Sequence, residues 1–268
     1  MQRESFLLQA ATIVLLAFCS RSIPVSAQVQ QSISKDQRAL RILSASLAAM
    51  NGGQAAFPHQ DSVALGTISF SNESVGNVPV AFKYLGSDMV RIEVSLPAGT
   101  RLMIQNGNQG FLQAPDGQVR TLQSYNLLAQ RISHVPQSSF VSHYNTNSME
   151  VLYFGQSVVQ NRPADVISLC FKQLANFSPV MACKFTKTLV SVDIATALIT
   201  KIEFSNFAEN NSDASQCIEI FFSDYRNVGG VMIPFQRATY IDGQPDSATI
   251  FTSVVFDVGL QASDFAVK

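Results

Sequence analysis

Between Ser34 and Gly53, apolar side chains recur at helical spacing: Leu40, Leu43, Leu47 and Met50 share one stripe. This spacing predicts an amphipathic helix. Ser34 followed by Gln37 fits a capping box at its start. Asn51-Gly52-Gly53 supplies residues that tolerate a left-handed C-cap. A helix that is apolar on one side must lie on another apolar surface.

From Val63 onward the period changes to two. Val90, Ile92, Val94 and Leu96 alternate with Arg91, Glu93 and Ser95, the pattern of an antiparallel strand with one buried and one wet face. Arg91 reads as a surface position opposite Val90 and Ile92. Val80, Phe82 and Tyr84 alternate in the same way just before it, and Gly86-Ser87-Asp88 turns the chain. The meander continues through 102–105, 110–114 and 118–122, with Asn106-Gly107 and Asp116-Gly117 at its turns.

The alternation lapses at 124–133, where Leu127, Leu128 and Ile132 fall at helical spacing before Pro136. A second helical turn is expected at 138–144. Strands resume at Val151 and recur at 166–171, 189–193, 198–204, 218–223, 231–241 and 248–258, with 209–213 as a polar loop tip. Joining 218–223 to 231–241, and running into the second, is Asp224-Tyr225-Arg226-Asn227-Val228-Gly229-Gly230-Val231-Met232-Ile233-Pro234-Phe235. The paired glycines suit a tight hairpin turn. Pro234 cannot donate to a ladder, which confines it to an edge, a strand start or a bulge.

The first 27 residues read differently. Phe6–Phe18 is mostly apolar but too short to span a bilayer, and Val25-Ser26-Ala27 has the small-x-small form of a signal-peptidase site. A cleaved export signal over 1–27 is therefore expected, leaving a single domain at 28–268 in an extracytoplasmic compartment. Phe18 before Cys19 argues against lipidation at that cysteine. No later run is long enough for a stable transmembrane anchor. With 18 basic against 19 acidic residues and no basic block, the chain lacks the footprint of a nucleic-acid partner.

Cys170, Cys183 and Cys217 follow the export signal. An oxidising compartment permits a disulfide. Cys170 with Cys183 would close a hairpin and leave Cys217 free, although three single pairings exist. The cysteines are widely spaced and His59, His134 and His143 lie far upstream, so no metal site is expected. There is no Gly-x-Ser-x-Gly elbow and no phosphate-binding glycine loop. Asp and Glu fall mainly at turns or on the wet faces of strands. Neither an enzyme nor a cofactor is expected.

The ordered set Asp224-Tyr225-Arg226, Gly229-Gly230-Val231, Ile233-Pro234-Phe235, Asp242-Gly243 and Asp264-Phe265 resembles the C-terminal half of the exported lipoprotein-carrier, or LolA-like, family. The stretch 155–164, with its Asn-Arg-Pro-Ala ending, and 191–201, with Asp193 and Thr196 between two strands, are similar to further parts of it. The resemblance covers roughly residues 33–268. It implies a mainly β fold with helices (α+β), in which a strongly curved antiparallel sheet forms an incomplete barrel. An N-terminal helix and the mid-chain helical segment cover that sheet.

In the carriers such a cavity holds acyl chains. Carried over, the resemblance implies an exported non-enzymatic protein that shelters a lipid or an acylated protein. The alternative is an envelope sensor that binds a partner protein. The candidate cavity residues are Leu43, Leu47, Phe82, Val90, Ile92, Phe204, Phe222 and Phe256, each on an apolar helix or strand face.

Overall fold

Asp36, not Ser34, begins the first helix. Its carboxylate accepts hydrogen bonds from the Arg38 and Ala39 amides at 2.7 and 3.0 Å, and α1 runs Gln37–Met50. The expected Ser34–Gln37 box does not form because the backbone at Ser34 is committed elsewhere. The Ser34 carbonyl accepts from Val151 N at 3.0 Å, and Asp36 N donates to Val151 O at 2.8 Å. The chain is thus pinned to a strand before the helix starts, and a carboxylate is a strong N-cap in its own right.

The computed structural model describes residues 33–54, 58–86, 88–107, 109–123, 125–127, 144, 146–174, 176–208 and 211–266. The expected export signal, Cys19, the helical stretch past Leu127 and most of 138–144 lie outside the described residues. The described residues belong to one compact unit, Ile33–Lys268.

Among the described residues, thirteen strands form one antiparallel sheet in the order β6-β5-β4-β3-β2-β1-β13-β12-β11-β10-β9-β8-β7. The first meander is β1 Asp61–Phe70, β2 Val78–Leu85, β3 Met89–Leu96, β4 Gly99–Asn106, β5 Gln109–Gln113 and β6 Val119–Thr121. The second is β7 Met149–Val159, β8 Arg162–Phe171, β9 Thr188–Asp193, β10 Ile199–Ala208, β11 Asn211–Val228, β12 Val231–Ile241 and β13 Gln244–Phe256. Each neighbour is next in sequence except at the β1–β13 seam, where the two meanders join. The sheet therefore does not close into a barrel, as expected. Its outermost strands are β6 and β7, and β7 is bridged at Val151 by the chain leading into α1.

A bulge between Leu65 and Gly66 bends the seam. A Cβ on Gly66 would overlap Ile250 O and fall 2.8 Å from Phe251 Cα, so the two backbones approach only because the side chain is absent. Gly66→Ala is expected to lower stability by about 1–3 kcal/mol. An unchanged urea midpoint would show that the seam relaxes without cost.

At the β11–β12 hairpin, Gly229 and Gly230 both have positive φ, 59° and 88°, as a two-residue hairpin turn requires. Pro234 faces Tyr225 on β11, whereas the β12–β13 ladder starts only at Gln236. Pro234 thus sits on a locally one-sided stretch. The expected loop at 209–213 is shorter than its composition implied. Asn211, Ser212 and Asp213 already belong to β11, where Asn211 pairs with Ala208.

On one face of the sheet, α1 packs against β7–β11. Leu43, Leu47 and Met50 join Ile167, Val190 and Ile202 in the largest core cluster. On the other face, α2 (Pro179–Thr186) is tied down by the Cys170–Cys183 disulfide. Cys183 thus lies on a helix, not on a hairpin strand. The 3-10 turn η1, Ala262–Phe265, inserts Phe265 beside Leu102 and Ile104 on the same outer side.

Arg91 is not the free surface residue its alternation predicts. It ion-pairs with Glu93, and its guanidinium donates to the carbonyls of Asp264 and Ala266 at 3.2 and 3.1 Å. Asp61 completes this clasp by accepting from the amides of Val258, Gly259 and Leu260. The wet face of β3 is covered by chain that lies far away in sequence.

Candidate functional site

The inner face carrying α1 continues across the seam onto the first meander. Ladder pairing aligns Ala64, Phe82, Ile92, Met103, Leu112 and Arg120 in one row from β1 to β6. Adjacent strands lie about 4.8 Å apart, so Phe82 and Leu112 are separated by roughly 14 Å along the row. Phe82 is buried at the inner end, whereas Ile92, Met103 and Leu112 are half-buried. At the outer end Leu112 meets a cleft of about 330 Å³, shared with Leu122, Asn126, Asn206 and Phe207.

The start of the mid-chain segment shapes that end. Leu127 and Leu122 lie over Gly110, where a Cβ would collide with Leu127. Asn126 grips the Phe207 backbone with both amide atoms, donating to its carbonyl at 2.8 Å and accepting from its amide at 2.9 Å. The Tyr125 hydroxyl donates to Ala208 O at 2.9 Å. The segment leaving β6 therefore reaches β10 at once and bridges the two meanders.

The sheet is strongly curved here. Arg237 is on β12, with β13 and β1 between it and β2. Even so, its guanidinium carbon lies 5.7 Å from the centre of the Phe82 ring. Phe251 on β13 meets Phe82 edge-on at 5.2 Å. Arg237 pairs with Phe222 on one side and Thr249 on the other, so it points to the inner face.

Among the described residues no hydrogen bond or ion pair reaches the Arg237 guanidinium, and its close electrostatic neighbour is the Tyr84 phenol. Burial pulls the guanidinium below its ordinary range and pushes the Tyr84 phenol well above its own. Arg237 remains protonated and Tyr84 neutral at physiological pH. Arg237 is deeply surrounded yet keeps partial solvent access.

Gln105 is a second unsatisfied polar group. It is 1 % exposed and neither side-chain amide atom has a hydrogen-bond partner. Its ladder row includes Tyr84 and Val90. An unpaired buried amide costs stability, a cost that Asn51 at the end of α1 bears as well.

The eight sequence candidates fall into different surroundings. Phe82 and Ile92 meet in the β1–β3 cluster. Val90 is buried beside them in the ladder. Leu43, Leu47, Phe204 and Phe222 pack together in the core beneath α1. Phe256 lies by the β11–β12 hairpin, stacked on His59 at 4.1 Å.

Sequence reasoning passed over Arg237, Met103 and Leu112. Arg237 had a visible signal, since it follows Val231, Ile233 and Phe235 at alternate positions on an apolar face. Glu150, Cys170 and Cys183 come close enough to resemble a metal cluster, but the disulfide consumes both thiolates.

The sequence matches no protein-family model and no curated protein. The fold is similar to solved structures. One is a domain titled for outer membrane lipoprotein sorting, from Vibrio parahaemolyticus, with TM-score 0.54 and 14% identity over 85% of this chain and 96% of that one. Another is a LolA superfamily protein from Nitrosomonas europaea, with TM-score 0.51 and 15% identity over 85% and 97% of the two chains. A third is a DUF1329 family protein from Desulfovibrio piger, with TM-score 0.54 and 12% identity over 85% and 97%. At these identities the likeness establishes the fold.

Proposed function

We propose that this LolA-like chain is an exported, non-enzymatic binding protein whose concave face shelters the acyl chain of a lipid or acylated protein. The observation that carries the reading is the half-buried apolar row Ile92–Met103–Leu112, which runs from Phe82 to the cleft beside Leu122. Apolar side chains that keep solvent access inside a curved sheet are suited to covering by an apolar ligand. The reading includes removal of residues 1–27 on export. No helix among the described residues is long and apolar enough to cross a membrane.

Delipidated protein is expected to bind a fluorescent fatty-acid analogue at a saturable stoichiometry. Leu112→Trp, which adds bulk at the outer end of the row, is expected to weaken that binding about tenfold, the loss of roughly 1.4 kcal/mol. Native mass spectrometry of protein purified from its own cells checks the same reading, because a co-purified lipid would be released by organic extraction. Protein that carries no lipid and takes up neither probe nor lipid would refute it.

One observation favours the alternative of a partner-binding module. The outermost strand β7, bridged at Val151 by Ser34 and Asp36, exposes Phe154 and Val158 farther along, at 62% and 73%. An exposed apolar edge is a template for strand addition by another chain. Recovery of one stoichiometric protein partner, lost on Phe154→Lys, would support that module.

A further inference from the structure

We propose that Arg237 reads a carboxylate, so that the sheltered ligand is a free fatty acid bound with its head inward and its chain along Ile92, Met103 and Leu112. This inference rests on the acyl-chain reading above and names the ligand class of the same site.

Three features of the inner face point this way. The first is the charge balance. Phe222 and Thr249 flank Arg237 in the ladder, Phe82 lies under its guanidinium and Tyr84 stands beside it, all neutral side chains. Carboxylates nearby serve other partners: on the opposite face Glu93 holds Lys83 and Arg91 and Glu203 and Glu219 hold Lys201, while Asp224 on β11 holds Arg226. A cation placed deep in protein without an anion is costly, and one anionic ligand group would offset that cost.

The second feature is position. Arg237 is mid-strand, four residues before the end of β12 at Ile241, so an anion must enter the concave space to reach it. A carboxylate is compact and matches the guanidinium fork in two parallel hydrogen bonds. A zwitterionic phospholipid head would also bury an ammonium group, and among the described residues the ladder neighbours of Arg237 are Phe222 and Thr249, with no carboxylate to receive one.

The third feature is continuity. The apolar row begins at Phe82, the ring under Arg237, and runs outward to the cleft. An acid head at Arg237 therefore places its tail directly on the row. The buried, unpartnered Gln105 amide lies two residues along β4 from Met103 and is a further polar group for an elongated ligand to satisfy.

The test is a comparison of dodecanoate with methyl dodecanoate on delipidated protein by calorimetry or probe displacement. Wild type is expected to bind the acid about 10- to 100-fold more tightly than the ester, the range of a charge-assisted hydrogen-bond pair. Arg237→Met is expected to erase that preference, so that acid and ester bind alike. Arg237→Lys, which keeps the charge but not the fork, should fall between them. The wild-type comparison needs no variant, so misfolding of Arg237→Met would leave it standing.

Equal binding of acid and ester overturns the role of Arg237 and leaves acyl-chain binding in place. Binding of neither overturns both. Preference for phosphatidylglycerol vesicles over dodecanoate, or competition by inorganic phosphate alone, would replace the carboxylate with a phosphate and also overturn the proposal.

Discussion

Phe204→Ala is expected to lower the stability of the fold by about 3–5 kcal/mol, the usual cost of removing a large aromatic side chain from a closed core. Phe204 is 6% exposed and packs with Leu43 and Leu47 of α1 and with Ile202 and Ile220 of the sheet. The helix seals this region from above and the sheet from below, so deletion leaves a cavity that the surroundings refill only in part. Ile92→Ala makes the contrast. Ile92 is half-buried on the open part of the same inner face, and its loss is expected to cost less than about 2 kcal/mol while weakening acyl-probe binding. Urea denaturation read alongside probe titration separates the two outcomes. If Phe204→Ala leaves stability within about 1 kcal/mol of wild type but abolishes probe binding, the ligand space lies beneath α1 and the row through Ile92 is not its site.

Asp193→Ala is expected to cost about 2–4 kcal/mol, since several charge-assisted hydrogen bonds are lost together. Asp193 is 1% exposed at the β9–β10 turn. Its carboxylate accepts from the Thr196 amide and hydroxyl, both at 2.7 Å, and from two nitrogens of Arg162 at 2.8 and 2.9 Å. Burial pushes this carboxyl upward, but the Thr196 hydrogen bonds and the Arg162 charge outweigh it and hold the group below the usual carboxylate range.

The pH dependence follows from that direction. A carboxylate whose folded pKa is depressed contributes stability above its unfolded pKa of about 3.9, and the contribution is lost as pH falls through the lower folded value. The gap in stability between wild type and Asp193→Asn should therefore be constant near neutral pH and close in strong acid. A gap that persisted unchanged to the lowest pH at which the protein folds would show that the charge on Asp193 contributes nothing.

This network also explains why the Asn-Arg-Pro-Ala and Asp-x-x-Thr stretches stand out in the sequence. Arg162 opens β8 and Asp193 closes β9, and the β8–β9 pairing brings those strand ends together. Their chemistry is structural. They fix a turn and a strand entry, and they stand apart from the inner-face row that carries the ligand proposal.

The sequence by itself determined the local elements. The stripe of Leu43, Leu47 and Met50 specified α1, alternation specified the strands, and Asn106-Gly107, Asp116-Gly117 and Gly229-Gly230 marked turns, because each depends on residues a few positions apart. Only the tertiary structure decided what those elements meet. Ser34 lost its capping role to a backbone bridge with Val151, and Arg91 was drawn under the C-terminal turn. The apolar faces were divided between a core closed by α1 and an open row through Ile92. Arg237 reached Phe82 across two intervening strands. Those outcomes depend on the β1–β13 seam and on sheet curvature, which join residues far apart in the chain and leave no periodic trace in either segment.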